Sequence, residues 1–154
     1  VKIACLAQLV NVIAPIMTDN GGKAWAQTIF YPFMYASNFG RGTTLRTQID
    51  CDSFVRANGE NAPWLTSSVI YNEEAGEIVV FAVNRSLEEN MELDLHGEGL
   101  AGLFLIQHVE LYCDDLKAVN TADHQAVVPV ERSAGEGPVI LKKHSWNMLR
   151  FRCK

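Results

Sequence analysis

A chain of 154 residues, of which 48% are hydrophobic and 20% charged, is long enough for one domain with a buried core and too apolar to be disordered. Its formal net charge of −5 argues against a nucleic-acid partner, because such partners usually require a basic face. The sequence contains no run of about 18 apolar residues, so it predicts no membrane-spanning helix.

The N-terminal quarter of the chain has the pattern of helices that alternate with a buried strand. Apolar side chains in residues 1–10 have helical spacing, at Ile3, Leu6, Leu9 and Val10. Residues 10–17 are apolar on both faces apart from Asn11, as in a parallel strand that helices cover on each side. A turn cluster at 18–22 precedes a second predicted helix over 28–39, which tolerates Pro32 in its first turn. This order predicts part of an α/β barrel or of a doubly wound sheet.

After Gly42 the apolar positions repeat every second residue, which predicts strands. The first strand covers 43–49, and the clearest pair, 65–71 and 77–83, forms a hairpin around a turn. Further strands are predicted around Met91, Leu93 and Leu95 and over residues 103–112, 126–130, 139–141 and 146–153, with loops at 97–102 and 133–138. Several short strands with glycine-rich turns predict an antiparallel β-sandwich of jelly-roll type.

The cysteines lie at positions 5, 51, 113 and 153, with long, irregular spacings and no Cys-x-x-Cys motif. The sequence therefore predicts neither a zinc nor a redox site, and we expect no metal and no cofactor. Disulfide pairing stays open, but buried free thiols fit the large apolar fraction better. Free thiols favour a reducing compartment and hence a cytoplasmic protein, with secretion as the alternative.

Motifs spread along the whole chain point to a family. They are Gln8-Leu-Val-Asn-Val-Ile-Ala-Pro-Ile-Met-Thr18, Ala24-Trp-Ala-Gln-Thr-Ile-Phe-Tyr-Pro-Phe33, Gly40-Arg-Gly42, Val80-Phe-Ala-Val-Asn-Arg-Ser86, Asp115-Leu-Lys-Ala-Val-Asn-Thr121 and Ser145-Trp-Asn147. In this order they resemble the C-terminal part of the α-L-arabinofuranosidases of glycoside hydrolase family 51. The resemblance implies that residues 1–42 are the last strand and helix of a truncated catalytic (β/α)8 barrel. Residues 43–154 would form a C-terminal β-sandwich domain.

The same resemblance implies a retaining exo-glycosidase that releases terminal arabinofuranosyl residues from arabinan or arabinoxylan. Such enzymes use two glutamates about 5 Å apart, which the family places at the ends of the fourth and seventh barrel strands. Residues 10–17 would correspond to the eighth strand, so the catalytic residues are expected upstream of Val1 and none within this chain. The expected partners are the missing barrel, an arabinofuranosyl glycan bound through the full-length enzyme, and further copies in a homo-oligomer.

Gln27 and Trp25 are the candidate substrate-binding residues. In the family, the glutamine of the Trp-x-Gln-Thr-Ile motif contacts the sugar, and the resemblance carries this role to Gln27. Its amide can donate and accept hydrogen bonds at once, which suits a pair of hydroxyls. Trp25 could form a wall for the sugar ring, although packing of the loop onto the barrel rim is the more ordinary role. The aromatic residues of the second helix are interpreted as core residues: Tyr31, Phe33, Tyr35 and Phe39.

The acids of the chain lie in turns and on solvated faces, so none is assigned a catalytic role. Asp50 and Asp52 would share one face of a strand. The other acids in turns are Glu73, Glu74, Glu77, Glu88, Glu89, Asp114 and Asp115. The four histidines lack the spacing of a helical metal site, and His108 is interpreted as a hydrogen-bonded histidine. Asn84 begins an Asn-Arg-Ser sequon but is expected to bond nearby backbone at a strand end.

A different class of function stays open, that of a non-catalytic carbohydrate-binding or interaction β-sandwich. A carbohydrate-binding sandwich displays a row of exposed aromatic side chains on one sheet face. The aromatics beyond Gly42 are Phe54, Trp64, Tyr71, Phe81, Phe104, Tyr112, Trp146 and Phe151. Most of them lie within strand patterns that predict burial, so exposure of two or three on one face would favour this alternative.

Overall fold

The computed structural model describes residues 3–97, 102–132, 134 and 137–152. This part of the chain contains one helix and twelve strands. In chain order they are β1 (Ile16–Thr18), β2 (Ala24–Ala26), α1 (Phe30–Phe39), β3 (Thr43–Leu45), β4 (Ser53–Val55), β5 (Asn61–Pro63), β6 (Leu65–Asn72), β7 (Glu77–Asn84), β8 (Met91–Leu93), β9 (Phe104–Leu111), β10 (Val130–Arg132), β11 (Val139–Leu141) and β12 (Ser145–Arg152). No helix among the described residues is both long and apolar enough to cross a membrane.

Six strands form the main antiparallel sheet, in the order β10-β9-β12-β7-β6-β3. β6 and β7 form the predicted hairpin, with Leu65 opposite Asn84 and Asn72 opposite Glu77. Gly76 closes the turn with a φ of 62°, a left-handed conformation that costs glycine little because it has no Cβ. The pairs β1–β2, β4–β5 and β8–β11 form separate two-stranded sheets. The prediction of a mainly antiparallel β fold is confirmed.

The central strands are apolar on both faces, so the main sheet is buried from two sides. Successive side chains of a strand point to opposite faces, and Ile78 and Val80 of β7 belong to one core. Val79 and Phe81 belong to the other. The β8–β11 pair closes the first core, where Leu141 is fully buried. Helix α1 closes the second core.

Helix α1 packs aromatic side chains on the second core. The ring centroid of Tyr35 lies 5.8 Å from that of Trp146 and 6.1 Å from that of Phe39. Pro32 occupies the first turn, as predicted, where a missing N–H costs no helical bond. The core interpretation is therefore confirmed for Tyr35 and Phe39. It is wrong for Phe33, which is 41% exposed, because only one side of the helix faces the sheet.

The helix and the strand predicted for the first 17 residues are wrong where the structure describes them. Residues 3–9 form no helix, and of the strand predicted over 10–17 only Ile16 and Met17 lie in a strand, β1. Asn11 and Val12 instead adopt positive φ values of 60° and 59°, which turn the chain back. Several large apolar side chains here lack a cover within the described part of the chain, with Val12 81% and Ile13 68% exposed. A strand that is apolar on both faces requires a cover on each face.

The predicted first helix begins at Val1, and so does the segment assigned to the barrel. Val1 lies outside the described residues, which begin at residue 3. The helix prediction is therefore corrected for residues 3–9 alone. The expectation that the catalytic residues lie upstream of Val1 concerns a region beyond this chain, and it stays a prediction.

Several strand predictions also differ from the structure. β2, β4 and β5 are not predicted, because three residues are too few to show a period. The strand expected over 126–130 begins only at Val130. Asp50 and Asp52 lie outside any strand. Parts of the predicted loops at 97–102 and 133–138 fall outside the described residues.

The cysteines are less buried than expected. Cys5 is an exposed free thiol, and Cys51 and Cys113 are half-buried free thiols. The expectation of buried thiols is therefore wrong for these three, because the segments around them lie at the edges of the cores rather than inside them. Cys153 lies outside the described residues.

Glu77 anchors an ionic cluster that joins the sheet to the helix. Its carboxylate is 4% exposed and accepts hydrogen bonds from Arg150 Nε and Nη2, at 3.0 and 2.6 Å, and from Arg152 Nη2, at 2.8 Å. The guanidinium of Arg150 also lies 4.7 Å from the ring centroid of Phe39. Burial raises the pKa of Glu77, but the hydrogen bonds from both arginines lower it more, so that the pKa lies below its ordinary value.

Replacing Glu77 with Gln should destabilise the fold by about 2–3 kcal/mol, less than for a fully buried pair, because the Arg152 side chain is half exposed. Because the pKa of Glu77 is lower in the folded state, the contribution of Glu77 to the free energy of unfolding is fully present above the unfolded-state pKa of about 4.3. This contribution is lost as the pH falls through the lower pKa of the folded state. Urea denaturation from neutral to acidic pH should show a steeper acid loss for the parent than for Glu77→Gln.

The matched control is Glu74→Gln, which changes an exposed acid in the turn of the same hairpin. This variant should stay within about 0.5 kcal/mol of the parent. Equal pH profiles for the parent and Glu77→Gln would contradict the assignment of this carboxylate.

Asn84 ends β7 and is completely buried. Its Nδ2 donates to the carbonyls of Glu89 and Leu141, at 3.0 and 3.2 Å, and its Oδ1 accepts the Ser86 N–H at 2.9 Å. The predicted role in backbone bonding at a strand end is confirmed. Because the amide is buried and fully engaged, it closes the turn after β7 and attaches that turn to β11.

Asn84→Ala should cost about 2–4 kcal/mol in the free energy of unfolding, because it leaves buried backbone groups without partners. Asn90→Ala is the control. Asn90 is exposed and accepts one hydrogen bond, from the Lys143 N–H, which water can replace, so its loss should stay within about 1 kcal/mol. Similar losses for the two variants in urea denaturation would contradict the role of Asn84.

Candidate functional site

The two candidate residues of the sequence lie on and just after the β1–β2 hairpin. Met17 pairs with Trp25 and Ile16 with Ala26. The Asp19 N–H donates to Lys23 O at 3.0 Å across the turn, as the predicted turn cluster requires. The hairpin is therefore a short antiparallel ladder that presents the segment leading into α1.

Gln27 continues this ladder by one residue. Its N–H donates to Pro15 O at 2.8 Å, and its carbonyl accepts the Phe30 N–H at 3.0 Å, where α1 begins. Residues two apart in a strand point to the same side, so Trp25 and Gln27 share one side of the hairpin. Both side chains are half-buried. Trp25 thus lies in β2, and Gln27 lies one residue beyond its end on the same segment of backbone.

The indole nitrogen of Trp25 is a hydrogen-bond donor without a partner. Trp25 Nε1 is enclosed by the protein and has no acceptor among the described residues. A buried donor usually finds a partner, and leaving it unpaired costs free energy. Because the atom is enclosed, its unpaired state does not by itself make it a contact point for a ligand.

Asn11 organises the loop that precedes β1. Its Nδ2 donates to Thr18 Oγ1 at 2.9 Å, and its Oδ1 accepts the Thr18 N–H at 2.7 Å. The Asn11 N–H also donates to Ile16 O at 2.8 Å. Asparagine tolerates the left-handed conformation seen here, whereas the same conformation at the β-branched Val12 is strained. These bonds hold the outer strand of the hairpin in place.

Asn120 attaches the hairpin to the loop between β9 and β10. Its side chain is 2% exposed. Nδ2 donates to Ala26 O at 3.0 Å and to Val127 O at 2.8 Å, and Oδ1 accepts the Val127 N–H at 2.8 Å. Sequence reasoning assigns Asn120 no role, although it lies in the motif at 115–121. An asparagine in a loop gives no sign of burial until the distant Ala26 is brought beside it.

The acids among the described residues are either exposed or ion-paired. Asp50 and Asp52 are exposed, as are the turn acids Glu73, Glu74, Glu88, Glu89, Asp114 and Asp115. Glu77 is bound by two arginines. The prediction that these acids are solvated is confirmed except at Glu77, which is buried.

Glu110 is a buried acid that the sequence does not single out. It is 2% exposed, and its Oε1 accepts a hydrogen bond from Arg132 Nε at 3.0 Å and lies 3.7 Å from Lys142 Nζ. These three residues and His108 line an open cleft of about 460 Å³. Because the carboxylate is shared between two cations, it has the environment of a structural ion pair and not of a free acid.

The histidines do not form a metal site in the part of the chain that the structure describes, where no three His, Cys, Asp or Glu side chains come together as ligands. His108 is buried and its Nε2 lies 2.9 Å from Asn147 Oδ1, which confirms it as a hydrogen-bonded histidine. His144 stacks on Tyr112 with ring centroids 5.1 Å apart. Each of these histidines therefore has a structural contact.

Comparison with known proteins identifies close relatives of the chain. Residues 1–145 match the profile of the α-L-arabinofuranosidase C-terminal domain. Proteins named intracellular exo-α-(1→5)-L-arabinofuranosidase from Halalkalibacterium halodurans and Bacillus subtilis are each 42% identical, over 157 and 159 residues. These alignments cover 98% and 99% of the chain but 31% of each relative, so the chain spans less than a third of their length.

Solved structures give the same assignment. A family 51 α-L-arabinofuranosidase from Bifidobacterium longum is 34% identical and superposes with a TM-score of 0.85 over 95% of the chain and 29% of that protein. The arabinose complex of the Thermotoga maritima α-L-arabinofuranosidase, at 23% identity, shares the fold with a TM-score of 0.77 over 94% of the chain and 32% of its own. These matches confirm the resemblance, and the chain belongs to the C-terminal domain family of the α-L-arabinofuranosidases of glycoside hydrolase family 51.

Proposed function

We propose that the chain is the C-terminal part of a retaining exo-α-L-arabinofuranosidase and that it supports the catalytic barrel without supplying the catalytic glutamates. The observation that carries this proposal is the alignment of 98% of the chain with 31% of an arabinofuranosidase. The remainder of such an enzyme is large enough for a barrel. The substrates would be terminal arabinofuranosyl residues of arabinan- or arabinoxylan-type glycans.

The environments of the buried acids support the proposal that this chain does not supply the catalytic glutamates. Retaining hydrolysis requires two carboxyl groups about 5–5.5 Å apart, one of which attacks the sugar as a nucleophile. The buried acids Glu77 and Glu110 are both neutralised by basic side chains, which suits neither role. The acid/base and the nucleophile are therefore assigned to the part of the enzyme upstream of Val1.

Trp25 and Gln27 are the residues of this chain that we assign to the sugar. The Gln27 amide offers a donor and an acceptor to neighbouring hydroxyls, and the Trp25 ring is proposed as a wall beside the sugar. Both lie on the segment that leads into α1, whose backbone is held by Pro15 and Phe30. A rigid backbone suits a site that must orient a furanose ring.

We assign residues 1–42 to the end of the barrel and residues 43–154 to the sandwich. The N-terminal segment exposes large apolar side chains, which are Ile3, Leu6, Leu9, Val10, Val12, Ile13 and Ile29. A surface of this kind marks an interface, and the barrel is the partner that the proposal provides. A homo-oligomer of the full enzyme is proposed as well.

The proposed location is the cytoplasm. Relatives that are 42% identical are named intracellular enzymes, and Cys5, Cys51 and Cys113 are free thiols, as a reducing compartment favours.

The linkage that the enzyme cleaves does not follow from these comparisons. A Bifidobacterium longum relative at 41% identity is named exo-α-(1→6)-L-arabinofuranosidase, so similarity in this domain does not fix the linkage.

The alternative of a carbohydrate-binding sandwich has weaker support. Phe54 and Trp64 lie against each other with ring centroids 4.4 Å apart, and Arg85 lies over Phe54. Phe81 and Trp146 pack against each other beneath α1. In the described part of the chain these aromatics form internal contacts rather than an exposed row.

The 154-residue chain alone should not release the aryl group from an aryl α-L-arabinofuranoside, because the proposal assigns the glutamate pair to the region upstream of Val1. The same reading frame extended upstream to the length of the relatives should release it. Both proteins are assayed under one set of conditions, with the folded state of each checked by circular dichroism. Hydrolysis by the short chain would contradict the assignment of the catalytic residues.

In the full-length enzyme, Gln27→Ala should lower kcat/KM for the same substrate by about 10- to 100-fold, the loss expected for a hydrogen bond to a sugar hydroxyl. The melting temperature should change little, since the side chain is half-buried. Gln48→Ala, at an exposed position after β3, is the matched control. Equal kcat/KM values for the two variants would contradict the role of Gln27.

A further inference from the structure

We propose that Asn120 is a positioning residue for the sugar site. From the β9–β10 loop it fixes the carbonyl of Ala26 and, through it, the placement of Trp25 and Gln27. This inference rests on the proposed function, because it assigns those two residues to the sugar. It adds a role for the sandwich, which is to set the geometry of the site as well as to cover the barrel.

The first step of the argument is the bonding of the Asn120 amide. An asparagine side chain has two N–H donors and one oxygen acceptor group. Both donors are used, one toward Ala26 O at 3.0 Å and one toward Val127 O at 2.8 Å, and the acceptor receives the Val127 N–H at 2.8 Å. The two bonds to Val127 close the loop itself. The bond to Ala26 reaches a residue 94 positions earlier.

The second step is the weakness of the hairpin without this bond. A two-stranded hairpin is marginally stable on its own and depends on outside contacts, and β1 and β2 have three residues each. The same loop also contacts the hairpin through Lys23 Nζ and Asp123 Oδ1, 2.6 Å apart, but these side chains are 65% and 86% exposed. Exposed ion pairs contribute little. The part-buried bond from Asn120, whose own side chain is buried, is therefore the stronger attachment.

The third step is the position of Ala26. It lies between Trp25 and Gln27, so a displacement of its carbonyl moves both neighbouring peptide units. A misplacement of about 1 Å far from the reacting atoms can lower a rate about 100-fold. Asn120 touches no part of the sugar in this scheme. Its loss should nevertheless lower activity, because the groups that contact the sugar lose their fixed place.

The experiment compares variants of the full-length enzyme on an aryl α-L-arabinofuranoside. Asn120→Ala should lower kcat/KM about tenfold or more at a temperature at which the variant is folded. In a Gln27→Ala background the same change should cost less than about threefold, because residues that act as one unit are not additive. Asp123→Ala, which removes only the exposed contact, should stay within about twofold of the parent.

Asn84→Ala is the matched control for stability. Asn84 is buried and uses its amide in the same way as Asn120, with two carbonyl acceptors and one N–H donor, but its partners are Glu89, Leu141 and Ser86. It should lower the melting temperature comparably and leave kcat/KM within about twofold of the parent. This comparison separates positioning of the site from general support of the fold.

The positioning role is overturned if Asn120→Ala lowers only the melting temperature, or if its effect on kcat/KM is equally large in the Gln27→Ala background. If Asn120→Ala does not fold, Asn120→Asp replaces it in the same comparison, since its carboxylate keeps the acceptor for the Val127 N–H and lacks the donors for Ala26 O and Val127 O. An inactive full-length parent would refute the proposed function and the positioning role together. An active parent with an unaffected Asn120 variant would refute the positioning role alone.

Discussion

The main sheet must be covered on both faces, because its central strands carry apolar side chains on both sides. Val80 and Leu149 belong to one core, and Val79 and Met148 belong to the other. Exposing either face would return apolar area to water at about 25 cal/mol per Å². The β8–β11 pair and α1 are therefore necessary parts of the fold. The need for a second cover also explains why a helix from the N-terminal quarter packs on a sheet made by the rest of the chain.

Buried polar groups determine where these covers are attached. Apolar burial is non-directional, so it favours contact between layers without fixing their register. Fully satisfied polar networks give that specificity, since any other placement leaves a buried group unpaired. Asn84 attaches the end of β7 to Leu141 of β11. Glu77 holds Arg150, whose guanidinium lies over Phe39 of α1. Each cover thus has its own polar attachment to the central strands.

The sequence predicts those features that depend on neighbours in the chain. The β6–β7 hairpin and the placement of Pro32 follow from local alternation and from proline geometry, and both are observed. Residues 10–17 could not be predicted, because a strand that is apolar on both faces needs covers that their own sequence does not supply. The candidate residues Trp25 and Gln27 follow from a family resemblance. The role of Asn120 could not be predicted, because its bond to Ala26 spans 94 positions.

The proposed boundary at residue 42 separates two sequence patterns but not two cores. Tyr35 and Phe39 lie before this boundary, and their packing partners Trp146 and Met148 lie in the last strand. The bond between Asn120 and Ala26 crosses the same boundary. Removing the sandwich would therefore expose the inner face of α1 and release the segment before it. Under the proposed function, a domain that supplies no catalytic acid would still be necessary to the enzyme, because the geometry of the proposed sugar site and the stability of the sheet would depend on the same contacts.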